Sequence, residues 1–242
     1  MKKTKFFLSL LIVLSFFSSC AKDEGLLTGS LIGFVSLYET DNTFVEDRSG
    51  VVVSVDGKKI STQTDTNGRY VLSGLTTGTY NLTFAKSGYG TVKEIGFQFT
   101  GGDEPAYLYT KSLAKIPSYN VTGLTATISE NGIEFRGTFS GTSLSLYNRA
   151  VVFLGKSANV SSAPANYTYG VNGATYFDST VMSGHIFKEA LVDMYKKGQT
   201  IYVVAYSESM YGDMYIDLAT NRYYFSALGT IPSNVVSVVM PF

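Results

Sequence analysis

Two residue types occur only once, and they set the limits on any chemistry. The 242-residue chain has one cysteine, Cys20, and one histidine, His185. No intramolecular disulfide can form, and a zinc site built from several His and Cys side chains is ruled out, as is any triad that needs a second His. Carboxylates remain. Glu39, Asp41, Glu46 and Asp47 crowd a polar stretch, but their spacing lacks the alternating acids, glycine and bidentate Glu of a calcium loop, so they read as a solvated loop. Asp65, in Thr64-Asp65-Thr66-Asn67-Gly68, reads as a turn cap that accepts backbone N–H groups. His185 has no nucleophilic partner in view and reads as a cap or surface residue. Two stretches carry apolar side chains at a density unusual for loops: Leu144, Leu146 and Tyr147 within 140–149, and Met210, Tyr211, Met214 and Tyr215 within 207–218. They form either a binding surface or packing against the first domain or a late strand at 235–240. Neither a metal nor a cofactor is expected.

The elements that must position these residues are all-β in character. Charged residues make up only 16% of the chain, Gly numbers 24 and Trp is absent, a balance that favours short strands and tight turns over long charged helices. The length suits two domains. Lys+Arg and Asp+Glu both stand at 19, and loss of Lys2, Lys3 and Lys5 with a leader would leave 16 against 19. A slightly acidic protein is a poor nucleic-acid binder.

Those three lysines precede the apolar run at 6–17, too short to span a bilayer comfortably but right for the core of a signal peptide. The run ends in Phe17-Ser18-Ser19-Cys20, which resembles the lipobox of bacterial lipoproteins. The resemblance implies a signal peptide at 1–19, acylation of Cys20 with palmitate-type chains and a tether at 20–25. Lys22, Asp23 and Glu24 resemble the surface-export signal of Bacteroidota lipoproteins, which implies an outer-membrane address facing outward. A plain solvated tether is the alternative.

A first domain is expected over 26–113. Leu31, Gly33 and Val35 alternate with Ile32, Phe34 and Ser36, Val51 to Val55 run up to Asp56-Gly57, and a return strand leads to the Asn67-Gly68 turn. Tyr70 and Leu72, then Tyr80, Leu82 and Phe84, share inward faces, and strands at 93–99 and 106–113 bring the total to about seven. Gly50-Val51, Val53, Thr64-Asp65, Gly68, Tyr70, Leu72, Leu75, Gly78, Tyr80, Leu82, Phe84 and Gly88-Tyr89 together resemble carboxypeptidase regulatory-like domains. That family is a prealbumin-like β-sandwich, an accessory module without catalytic residues.

The second domain is expected over 117–242, with the boundary at Lys115-Ile116-Pro117-Ser118. Leu124, Ala126 and Ile128 pair with Ile133, Phe135 and Phe139 through Asn131-Gly132, and the apolar run at 150–154 reads as a strand buried on both faces. A weaker strand is expected at 175–181. Over 184–198, Ile186, Phe187, Ala190, Leu191, Met194 and Tyr195 recur at helical spacing, which predicts one short helix with His185 at its start. Residues 198–206 resemble the sixth strand of fibronectin type III-like domains, with Tyr202 at the position of the tyrosine corner. Asp178-Ser179-Thr180 resembles a Bacteroidota O-glycosylation acceptor.

The expected protein is thus all-β, with two β-sandwich domains in tandem, prealbumin-like and then fibronectin/Ig-like with one short helix. Its expected role is that of a non-enzymatic outer-membrane lipoprotein, a binding or assembly module with a glycan or surface-protein partner, such as an accessory to glycan or nutrient uptake. A structural or adhesive protein and a small glycan-active enzyme are the alternatives.

Overall fold

The computed structural model describes residues 26–141, 148–174 and 180–242. Cys20, Lys22, Asp23, Glu24, Leu144, Leu146, Tyr147 and most of the 175–181 segment, with Asp178 and Ser179, lie outside the described residues.

Eight strands make the first sandwich. One sheet has β1 (Thr28–Tyr38) at its centre, antiparallel to β4 (Arg69–Thr76) on one side and parallel to β7 (Ala106–Tyr107) and β8 (Lys111–Ala114) on the other. The other sheet runs β3 (Ser61–Gln63), β2 (Val52–Val55), β5 (Gly78–Ala85), β6 (Val92–Phe99), all antiparallel. The single strand expected at 106–113 is two: Leu31 pairs with Ala106 but Val35 with Lys111, so one extra residue bulges out between β7 and β8. That bulge carries Tyr109 to the surface, where it is 68% exposed.

The signature stretch behaves as its local chemistry dictates. Asp65 Oδ1 accepts the backbone N–H groups of Asn67 and Arg69, both at 2.9 Å. Gly68 has φ +74°, and its N–H donates to the Asp65 carbonyl while its own carbonyl accepts from Val35. A Cβ there would stand 2.2 Å from the Val35 carbonyl oxygen, so only glycine lets this turn lie against β1. Inside, Tyr70, Leu72, Leu82 and Phe84 are buried with Leu31, Val35 and Leu37, as the alternation requires.

The second sandwich packs three strands against four. The first sheet is β9 (Asn120–Ser129), β10 (Gly132–Ser140) and β13 (Val181–Phe187), with β10 central; the second runs β12 (Tyr169–Ala174), β11 (Arg149–Gly155), β14 (Thr200–Glu208), β17 (Val236–Val239). Ile133, Phe135, Phe139, Val152, Leu154, Ile201 and Val203 fill the space between the sheets. Val151 and Phe153 are buried on the opposite face, under Tyr167, Tyr206 and Phe225, as expected of a strand covered on both sides.

Three expectations change. The helix over 184–198 shrinks to α1 (Lys188–Val192), because Ile186, Phe187 and His185 belong to β13. The pairing of Gly132–Thr138 with Val181–Phe187 in β10 and β13 claims residues whose spacing suits a helix equally well. His185 therefore sits within the edge strand β13, with Nε2 3.1 Å from the Asn131 carbonyl oxygen and its ring 4.6 Å from that of Phe187. Second, the late strand at 235–240 is part of the sandwich itself: β17 pairs with β14 and is its seventh core strand. Third, the apolar segment 207–218 is not a plain loop. Its latter part is β15 (Met214–Asp217), which forms a hairpin with β16 (Arg222–Phe225) inserted between β14 and β17.

Candidate functional site

The inserted hairpin touches both domains. On its own domain, Phe225 meets Phe153 edge-on at 5.3 Å. Toward the first domain, the segment leading into β15 makes a two-way bridge to β8: the Asp213 N–H donates to the Ser112 carbonyl at 2.9 Å, and the Asp213 carboxylate accepts the Ser112 N–H at 2.8 Å. Burial raises the Asp213 pKa, with Glu94 adding to the rise while the Ser112 N–H and Lys111 oppose it. The Tyr211 ring lies 4.7 Å from that of Tyr38, and Ser209 Oγ donates to the Lys115 carbonyl at 2.6 Å. A Cβ on Gly90 would stand 2.4 Å from the Ser226 carbonyl oxygen, so the backbones of the two domains approach as closely as glycine permits.

At its root, the insertion is tied down by Tyr119. The phenol donates to the Glu208 carbonyl at 2.9 Å and accepts the Arg149 N–H at 3.1 Å, while the Tyr119 carbonyl accepts from Ser207 Oγ. Burial pushes the Tyr119 phenol up to about 12, so it stays a donor at any physiological pH. The phenol that ties strands to backbone is thus Tyr119 and not Tyr202, which packs half-buried against the cluster around Phe153 and forms no side-chain hydrogen bond among the described residues. Glu208, where β14 ends, is buried beside Arg149 with an ion-pair distance of 3.6 Å. Burial raises its pKa to about 7 in spite of the guanidinium, because the contact is long and the desolvation nearly complete.

Docking of the hairpin on β6 and β8 creates a groove of about 500 Å³ between the domains. Lys93, Glu94, Tyr109 and Lys111 line it from the first domain, and Met214, Tyr215 and Tyr223 from the hairpin. Lys111, only 5% exposed, forms a close ion pair with Glu94, whose Oε2 also accepts from the Tyr109 phenol at 3.0 Å. Burial pulls the Lys111 pKa down, but Glu94 and Tyr109 outweigh it and the net shift is upward; the ammonium is charged throughout the neutral range. It stands 4.1 Å from the centre of the Tyr109 ring, which fixes that exposed ring in one orientation. Opposite, Tyr215 stacks on Tyr224 at 4.8 Å with 19° between planes. Burial pushes the Tyr215 phenol up to about 12, assisted by Tyr224, Asp217 and Asp56. At the rim, Lys93 pairs with Asp56 at 2.7 Å.

A second hollow between the domains, of about 560 Å³, is lined by Tyr89, Ile116, Pro164, Tyr206, Tyr224 and Leu228 among others, with no charged side chain. The groove differs in offering flat aromatic faces beside paired charges. Among the described residues there is no group of three or more His, Asp or Glu side chains able to hold a metal ion, and no helix long and apolar enough to cross a membrane.

The sequence-derived candidates are divided by the structure. Met214 and Tyr215 line the groove; Tyr211 packs on Tyr38 of the first domain; Met210 is 36% exposed beside it. The residues missed from sequence are Tyr109, Lys111 and Glu94 of the first domain and Tyr223 of the hairpin. Only the unusual Tyr107-Leu108-Tyr109 and Tyr223-Tyr224 clusters could have pointed to them.

No curated protein matches the chain. Among solved structures, it is similar to a DUF3823 family protein from Bacteroides ovatus (14% identity, 87% of this chain and 98% of that one, TM-score 0.35). It is also similar to the FN1–FN3 domains of chicken CNTN1 (10% identity, 90% and 67%, TM-score 0.32). A third similarity is to a type II cohesin–X-dockerin complex from Acetivibrio cellulolyticus (21% identity, TM-score 0.31), where the match covers 36% of this chain and 57% of that one, little more than half its length. Residues 41–108 match the family model described as carboxypeptidase regulatory-like domain, and the first sandwich is a domain of that kind.

Proposed function

We propose that the protein is a non-enzymatic glycan-binding module, that the groove between its domains is the binding site, and that Cys20 anchors it by lipid to the outer membrane, where Lys22, Asp23 and Glu24 direct it outward. In this position it serves as an accessory to glycan uptake. One observation carries the reading: Tyr109 from one domain and Tyr215 and Tyr223 from the other line a single groove beside the Lys111–Glu94 ion pair. Sugar rings present apolar C–H faces and an edge of hydroxyls. Flat tyrosines suit the faces, and an ion pair supplies adjacent donor and acceptor for neighbouring hydroxyls. Tyr109 is already held by Lys111 and Glu94, so little side-chain entropy remains to be lost on binding.

A binding role is favoured over a catalytic one by the state of the charged groups. Each charged side chain lining the groove already has a partner: Lys93 has Asp56, and Lys111 has Glu94. A glycosidase instead needs one carboxyl free to give a proton and another free to attack or activate water.

A glycan array probed with the protein, followed by titration of the hits against Tyr109→Ala, tests the reading. The expected result is a set of bound glycans whose affinity falls at least tenfold in the variant while its unfolding midpoint is retained. Hits unaffected by the variant would place the site elsewhere, and hydrolysis of a bound glycan would make the protein an enzyme.

A further inference from the structure

Beside the groove lies a smaller furrow of about 260 Å³, lined by Tyr167, Thr168, Tyr169 and Arg222, and the two cavities share Asn221 and Tyr223. The shared residues sit at the outer end of the hairpin, so Tyr223, 55% exposed, forms a ridge with a cavity on either side. This ridge is rigidly built. Asp217 Oδ2 accepts from both the N–H and the hydroxyl of Thr220. The Asn221 N–H donates to the Asp217 carbonyl, and Asn221 takes the left-handed φ of +54° that closes the turn. The Tyr167 phenol donates to the Tyr223 carbonyl, and Arg222 Nη1 donates to the Pro164 carbonyl at 2.7 Å.

We infer that the ligand is a linear oligosaccharide that crosses the Tyr223 ridge and fills both cavities, so that groove and furrow are consecutive subsites on one chain. This rests on the glycan reading of the groove and extends it. Size is the first argument: ligand pockets generally span about 300–1,000 Å³, so the groove is a site in its own right while the furrow is too small to be one except as an extension. Chemistry is the second. The furrow offers related groups: the exposed Tyr223 ring at its edge, the Arg222 guanidinium 5.8 Å from the ring of the buried Tyr167, and the Asn221 side-chain amide at the junction. A second sugar of an extended ligand would meet an aromatic edge and hydrogen-bond donors there. A branched or single-ring sugar would use the groove alone.

Titration calorimetry of the full chain with ladders of one to six units from the malto-, cello-, xylo- and manno-oligosaccharide series tests this. At least one series is expected to gain tenfold or more in affinity between two and four units and then level off. Arg222→Met is expected to weaken the longer members at least tenfold more than the shortest bound member, with Arg222→Lys restoring part of that difference. The wild-type ladder alone decides the matter if the variant unfolds. Short and long members binding equally would overturn the two-subsite inference and leave the groove reading standing. Binding by no ladder and no arrayed glycan would overturn both, and so would capture of extended peptides at the groove in place of sugars.

Discussion

Neutralising Glu208 should remove a pH dependence that the wild-type protein carries. Its carboxyl is buried where β14 gives way to the inserted segment, and burial lifts its pKa from 4.5 to about 7, against the pull of Arg149. Because the folded-state value lies above the unfolded one, folding favours the protonated form. The contribution is complete below pH 4.5 and is lost as pH rises through about 7. The shift of about 2.5 units, at about 1.4 kcal/mol each, amounts to on the order of 3 kcal/mol. Glu208→Gln keeps the neutral shape and cannot ionise. Urea unfolding of both proteins from pH 4.5 to pH 8 isolates the effect, since Asp213, also raised by burial, contributes equally to each and cancels. Wild type should lose on the order of 3 kcal/mol more than the variant across that range. Parallel curves would refute the reasoning, and relative stabilisation of wild type toward pH 8 would mean that the Arg149 attraction exceeds the cost of burial.

Asp213→Ala strips the acceptor from the Ser112 N–H, a bond to a charged group worth about 1.5–3 kcal/mol, partly offset because a desolvated carboxylate is removed. Amide exchange at Ser112 should quicken by roughly tenfold or more, and an unchanged rate would mean that the docking of the insertion does not depend on this bridge. Gly68→Ala forces a side chain into left-handed geometry at a cost of about 1–2 kcal/mol, and its Cβ also strikes the Val35 carbonyl. A loss above about 2 kcal/mol in denaturant titration is expected, and a loss near zero would show that this turn can move away from β1.

What could be read from sequence was local. Asp65, Asn67 and Gly68 specify their turn through neighbours within four residues, and the alternation of Tyr80, Leu82 and Phe84 specifies its own inward face. The run at 150–154 showed by its continuity that β11 is covered twice. Residues 186–195 were ambiguous because Ile186 and Leu191 suit a helix face as well as a strand followed by a turn of helix, and the partner that decides, β10, lies some fifty residues earlier. The β15–β16 hairpin was obscured for a different reason. Its turn has no Asn-Gly or Asp-Gly pair and is closed by Asp217 and a left-handed Asn221, so Met214 and Tyr215 looked like loop residues. The groove needs Tyr109 and Tyr215 brought together across more than a hundred residues, and no local pattern encodes that meeting. Tyr119 likewise acts through Arg149 and Glu208, partners that periodicity does not reveal.

In the proposed complex one ligand is held by both domains at once. Backbone and side-chain chemical-shift mapping during titration with a glycan selected on the array tests it most directly. Simultaneous, saturating shifts are expected at Tyr109 and Lys111 of the first domain and at Tyr215 and Tyr223 of the hairpin, with one dissociation constant. Shifts confined to a single domain, or centred away from the groove, would contradict it.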